Sequence, residues 1–168
     1  KLLAFRLKNY SSAIEDIEDE DMQLGPIEPR LRQTGTPLAI ALKNNPEALA
    51  KFKNWLRARN YELIAERSES PDGRIVLAIL RAAQALGRDY VTSDIIQKIA
   101  AEDLKLELSV QKIGHRLRTL KLQRKQTRVG GVKGRYIVWD NRLMHTLAKR
   151  YCPDINEYAD LFLPEKGN

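Results

Sequence analysis

Residues 109–135 hold Lys112, Arg116, Arg118, Lys121, Arg124, Lys125, Arg128, Lys133 and Arg135, and no Asp or Glu. Their chemistry is to bind phosphate and displace its counterions. The whole chain carries +7, from 29 basic and 22 acidic residues. The window alone carries +9, so the remainder sums to −2. A run without counter-charges in a chain otherwise near neutral is an electrostatic footprint for a polyanion. A solvated basic face is the plainer alternative.

The opposite pole is residues 15–21, with six acids interrupted only by Ile17. Like charges in a block repel, and the run reads as an exposed loop. It lacks the glycine and the alternating ligands of a calcium loop.

Nothing else in the chain resembles catalytic machinery. Cys152 is the single cysteine, and His115 and His145 are the only histidines. They supply neither a disulfide framework nor a cysteine-based zinc site. Cys152 precedes Pro153 and has no histidine close in sequence, which is not a nucleophile signature. There is no GxxxxGK[ST] loop and no acidic metal-holding strand, so this chain alone is not expected to hydrolyse ATP. The expected class is therefore non-enzymatic.

At 168 residues the chain has room for one medium domain or two small ones. Its 43% apolar and 30% charged residues are a globular composition. The longest apolar runs, 38–42 and 75–80, fall far short of the ~20 residues of a membrane span. One cysteine fits a reducing compartment, and a cytoplasmic location is expected. The chain starts at Lys1 with no signal-peptide pattern, which reads as a fragment of a longer or processed protein.

The elements that must position the cations can be read from punctuation and periodicity. Residues 1–10 read as a helix, and Gly25-Pro26 marks a break. Arg30-Leu31-Arg32-Gln33 starts a short helix, which Gly35-Thr36-Pro37 ends. Thr36 would then cap another helix with Pro37 at its first position. Asn45-Pro46-Glu47 repeats that start signal. Leu49, Phe52, Trp55 and Leu56 follow at helical spacing and read as core. Residues 1–67 thus form a helical subdomain. Ser68-Glu69-Ser70-Pro71-Asp72-Gly73 gathers turn formers and reads as a linker over 68–74.

Beyond it, residues 75–86 make an apolar helix ended by Gly87. Tyr90-Val91 is a short extended piece. Thr92 or Ser93 caps a helix carrying Ile95, Ile96 and Ile99. Ser109 caps a third helix reaching about Leu120, with Leu108 and Ile113 spaced as a hydrophobic staple. Val110, Ile113, Leu117 and Leu120 share one face of it. Gln111, Lys112, His115, Arg116, Arg118 and Thr119 lie off that face. Residues 123–129 and 135–139 read as strands, with Gly130, Gly131 and Gly134 in the turn between them.

VTSDIIQKIA, LSVQKIGHRLRTLKL and RVGGVKGRYIVW, in that order, resemble a winged helix-turn-helix domain over about residues 75–140. The resemblance implies a mainly α fold: a helical subdomain, then a winged helix-turn-helix with a small β-hairpin wing, then a C-terminal helix and tail over 141–168. It implies that the third helix enters the major groove of DNA. Gln111, Lys112, His115, Arg116 and Thr119 would face the groove, Arg124, Lys125, Arg128, Lys133 and Arg135 would serve phosphates, and Arg118 would also belong to the DNA-binding set. The physics agrees, since a helix fits that groove and Arg, Lys and Gln read its edges. His115 is open to three readings: a DNA contact, a surface residue or a pH-sensitive group. Tyr136 and Trp139 either stack on bases or pack back on the domain. In the tail, Asn141 caps a helix, Cys152-Pro153 ends it, and Tyr158, Leu161, Phe162 and Leu163 form an apolar patch that docks back or binds a partner.

KLLAFRLKNY and IEPRLRQTGTPLAIAL, followed by the winged helix, are similar in layout to the C-terminal region of mobile-element and minichromosome-maintenance-type replicative helicases. Under that likeness Arg30, or else Arg32, is a lid arginine near a nucleotide phosphate; a surface arginine is the alternative. ATP and magnesium would serve the parent protein, with no cofactor in this segment. The expected partners are DNA, the rest of the parent chain and further copies assembled through it, with no membrane. A winged-helix transcription regulator with an N-terminal dimerisation or sensor domain is the alternative. A protein-interaction module with an acidic partner is a third reading.

Overall fold

The computed structural model describes residues 24–163. The helix expected over 1–10 and the acidic run 15–21 lie outside them. The order of elements is α1 (Pro29–Ala41), α2 (Pro46–Ser68), α3 (Pro71–Leu86), a 3-10 turn (Arg88–Tyr90), α4 (Ser93–Glu102), α5 (Val110–Thr119), β1 (Arg124–Val129), β2 (Val132–Ile137), α6 (Asn141–Tyr151) and a terminal 3-10 segment (Ile155–Phe162). The chain divides into two units between Leu63 and Ile64, inside α2.

The first unit has its own small core of Leu24, Ile27, Ala39, Leu49 and Leu56. One expectation fails here. Residues 35–37 do not end a helix, because α1 runs through Pro37 to Ala41. Thr36 caps nothing; its hydroxyl donates back to the Arg32 carbonyl at 2.8 Å. Gly35 is buried, and a Cβ there would lie 2.9 Å from Leu56 Cδ1. Tertiary packing at Gly35 keeps the helix whole across a proline that would break it in isolation. The start expected at Asn45 is observed, with the Ala48 amide donating to Asn45 Oδ1 at 3.1 Å. Leu49 and Leu56 are buried as expected, but Trp55 is 58% exposed.

The second unit is a winged-helix arrangement around α3. Ile75, Val76, Ile79 and Leu80 are fully buried, with Val91, Ile96, Ile113, Leu117, Met144 and Tyr158 around them. Residues 71–74, expected as linker, are instead the first turn of α3. Ser70 Oγ accepts from the Gly73 amide at 3.1 Å, Pro71 occupies the first turn and Asp72 follows. Turn formers and helix starters are the same residues, and here the start signal prevails.

Thr92 caps α4 and Ser109 caps α5, as the sequence indicates. Tyr90 belongs to the 3-10 turn, so the extended piece is Val91-Thr92. The Val91 carbonyl accepts from the Ile137 amide at 2.9 Å, and Thr92 bridges Tyr136. The turn between strands is two residues long. Gly130 and Gly131 have φ of 57° and 82°, the paired positive values of a tight hairpin. Strand β2 therefore begins at Val132 rather than at Arg135, and Gly134 pairs with Thr127 inside it.

Asp140, not Asn141, caps α6, accepting from the Leu143 amide at 2.9 Å. Asn141 Oδ1 instead accepts from Trp139 Nε1 at 2.9 Å. The tail docks back: Tyr158 and Leu161 are in the core, while Leu163 is exposed. Trp139 and Tyr136 pack back too.

Burial pushes the Cys152 thiol and the Tyr158 hydroxyl above their ordinary ranges. The unfolded chain then ionises first, so their contribution to stability is complete at neutral pH and is lost as pH rises. A urea midpoint followed from pH 7 to 10.5 should hold steady to about pH 8.5 and then fall. Cys152→Ala should move the onset toward the tyrosine range near pH 10. An unchanged onset would refute the assignment to Cys152.

Candidate nucleic-acid interface

Helix α5 packs one face inward and offers the other to solvent. Ile113 and Leu117 are fully buried and Leu120 nearly so, whereas Gln111, Lys112, His115, Arg118 and Thr119 are exposed. The split follows from apolar residues at three- and four-residue spacing. Arg118, in the last turn, also complements the negative end of the helix dipole.

Arg116 differs from its neighbours. Its Nη1 donates to Asp72 Oδ1 at 2.7 Å, and both side chains are partly buried. It holds α5 against the first turn of α3, so much of its charge is already answered. Among the described residues, the other eight cations of the window make no ion pair.

The wing sorts its cations by register. Arg124 pairs with Ile137, Gln126 with Arg135, and Arg128 with Lys133. Side chains alternate between faces, and directly paired residues share one. Arg124, Gln126, Arg128, Lys133 and Arg135 therefore occupy one face. Lys125 falls on the other, with Tyr136, Thr127 and Gly134. Sequence alone had grouped all five wing cations together. Arg128 directly opposite Lys133 costs some stability, since like charges across a strand pair repel.

Arg124 joins this face to α5. Its Nη1 donates to Ser93 Oγ at 3.2 Å, and its Nη2 lies 3.5 Å from the Gly114 carbonyl. Gly114, an odd residue for a helix interior, makes room for it: a Cβ there would lie 2.8 Å from Arg124 Nη1. Burial lowers the pKa of Arg124, and the charges of Arg118 and Arg135 lower it further. Arg124 thus ties the wing to the helix-turn-helix as well as carrying charge. No sequence signal assigns Ser93, Asp72 or Gln126 to this interface; Gly114 carries one, as a glycine where close approach is required.

A cleft of about 480 Å³ runs between α4, α5 and the wing, lined by Asp94, Gln111, His115, Arg118, Arg124 and Arg135 among others. On the other flank of α5, a cleft of about 610 Å³ is lined by Asp72, Gln111, Lys112, His115, Arg116 and Thr119. Both are open grooves beside a cationic helix rather than enclosed substrate cavities. Arg30 lies in the first unit, exposed in the first turn of α1. Arg32 Nη2 donates to the Gly25 carbonyl at 2.9 Å. No group of three or more His, Cys, Asp or Glu side chains that could hold a metal ion occurs among the described residues. No described helix is long and apolar enough to cross a membrane.

In comparisons with known proteins, the chain matches no family model, no curated protein and no solved structure.

Proposed function

We propose that the second unit binds duplex DNA, with α5 in the major groove and the cationic face of the wing on the adjacent backbone. The observation that carries this reading is the strand register. It gathers Arg124, Arg128, Lys133 and Arg135 on one wing face, beside the exposed cations of α5 and, among the described residues, without an opposing carboxylate in an ion pair. Exposed Gln111 and Lys112 supply groups able to reach base edges, while the wing cations supply backbone affinity.

We further propose that the parent protein is a replicative DNA helicase or replication initiator, with ATP and magnesium confined to its other parts. That placement rests on the order of parts and the IEPRLRQTGTPLAIAL likeness. A chain that dimerises and prefers a palindrome belongs instead with transcription regulators.

The test is fluorescence anisotropy of a labelled 25-base-pair duplex titrated with the full chain between 50 and 200 mM salt. About five or six phosphate contacts give a log–log slope near about −5. Absence of binding at the lowest salt would overturn the reading.

A further inference from the structure

A third groove, a basic notch of about 630 Å³ between the end of α5 and the wing, is lined by Arg118, Lys121, Leu122, Gln123, Arg124, Gln126 and Arg135. Four of these side chains are cationic and none is acidic. Arg124 borders both this notch and the cleft beyond it, where its guanidinium is anchored by Ser93 Oγ and the Gly114 carbonyl. Two donor directions are spent on the protein, and the fork has five N–H donors in all. Arg118 and Arg135 stand near enough to Arg124 for their charges to repel it. Asp94 lines the neighbouring cleft but forms no ion pair among the described residues.

Lys121 adds a second observation. It closes α5 in the left-handed region, at φ 62°. The Lys121 amide donates to the Arg118 carbonyl at 2.9 Å and the Leu122 amide to the Leu117 carbonyl at 2.8 Å. This is the helix-ending motif whose left-handed position usually takes glycine. A lysine there is strained. Lys105 shares this backbone region at φ 53°, but of the two only the Lys121 side chain lines the notch.

We propose that the notch is a phosphate seat, in which the anchored Arg124 together with Arg118, Arg135 and Lys121 closes around one backbone phosphate of the bound duplex. Guanidinium groups match a tetrahedral oxyanion with paired donors, and an anion relieves the repulsion among them. The seat fixes the register of the wing on the backbone without reading sequence. The proposal rests on the DNA-binding reading and specifies where one of its phosphates goes.

The experiment has two arms on the full chain. In the first, arginine Nε–H resonances are followed by NMR as inorganic phosphate replaces chloride at constant ionic strength. The Arg124, Arg118 and Arg135 signals should shift and saturate, and Arg118→Gln should abolish the response. Equal responses to phosphate and chloride would overturn the seat. In the second, Arg118→Gln should weaken binding of the 25-base-pair duplex about fivefold to tenfold and reduce the salt slope by about one. A seat that holds inorganic phosphate while the variant's duplex affinity and slope stay at parent values would overturn the assignment to a backbone phosphate. A parent chain that bound no duplex would fail the DNA-binding reading itself, a result separable from either of the others. Lys121→Gly serves as the companion variant. Relief of strain should raise its thermal midpoint while duplex affinity falls about twofold or more; unchanged affinity would remove Lys121 from the seat.

Discussion

Replacing Arg128, Lys133 and Arg135 together by alanine is expected to weaken duplex binding by about a hundredfold or more. A charge-assisted contact to a phosphate is worth roughly 1 kcal/mol or more. Three such contacts amount to about 3 kcal/mol, or two decades in affinity. The salt slope should fall by about three at the same time. The wing itself should survive, because all three side chains are exposed and its register is held by backbone pairing and the Gly130-Gly131 turn. Removal of the facing Arg128 and Lys133 charges should, if anything, raise stability slightly. Lys125→Ala is the informative control, since Lys125 lies on the opposite face. Its effect should stay below about threefold, a residual long-range contribution. Equal losses in single variants at Lys125 and Arg128 would show that the wing acts as a diffuse cloud of charge and that the face defined by the register has no role.

Gly73→Ala is expected to produce the largest loss of stability of any glycine-to-alanine change in the second unit among the described residues. Gly73 lies in the first turn of α3, where the end of α2 passes directly over it. A Cβ there would fall on the Arg67 carbonyl oxygen and within 2.6 Å of that of Ser68. Both obstacles are backbone, so neither can swing aside. Overpacking of this kind costs about 1–3 kcal/mol, and distortion of the Ser70 cap adds to it. For a unit of about a hundred residues, that lowers the thermal midpoint by roughly 10 °C or more. Gly114→Ala makes the contrast. Its new methyl would push aside the Arg124 guanidinium and break its bonds to Ser93 Oγ and the Gly114 carbonyl, but a side chain can move where backbone cannot, and alanine gains up to about 1 kcal/mol of helix propensity over glycine, which offsets that loss. Stability should therefore hold or rise while Arg124 is displaced. If Gly73→Ala unfolded at the parent temperature, the close approach of α2 to α3 would be refuted.

Much of the second unit was legible in the sequence because its signals are local. Ser109 and Thr92 cap their helices because a side-chain oxygen can reach an amide three residues on, whatever else the chain does. The inward face of α5 follows from the spacing of Ile113, Leu117 and Leu120. Glycine-rich punctuation announced a hairpin but placed Gly134 in its turn, whereas strand pairing confines the turn to Gly130-Gly131. The misreadings arose where one local signal supports two outcomes. Pro37 reads as a helix start, and Ser70-Pro71-Asp72-Gly73 as a linker, until their neighbours are known. In the first case Gly35 packed against Leu56 keeps the helix continuous; in the second, Ser70 caps a helix.

The amino-acid order therefore settled the kind of elements, their succession and the concentration of positive charge between residues 109 and 135, since these depend on contacts a few residues long. It did not settle which cations act together. Strand pairing put Lys125 on the far side of the wing, and Asp72, 44 residues away, claimed Arg116. Ser93 and the Gly114 carbonyl, 31 and 10 residues away, anchored Arg124 at the border of a notch. Charge is a property of composition, but its direction and its partners belong to tertiary structure, because Coulomb and hydrogen-bond energies depend on distances that only the folded chain sets.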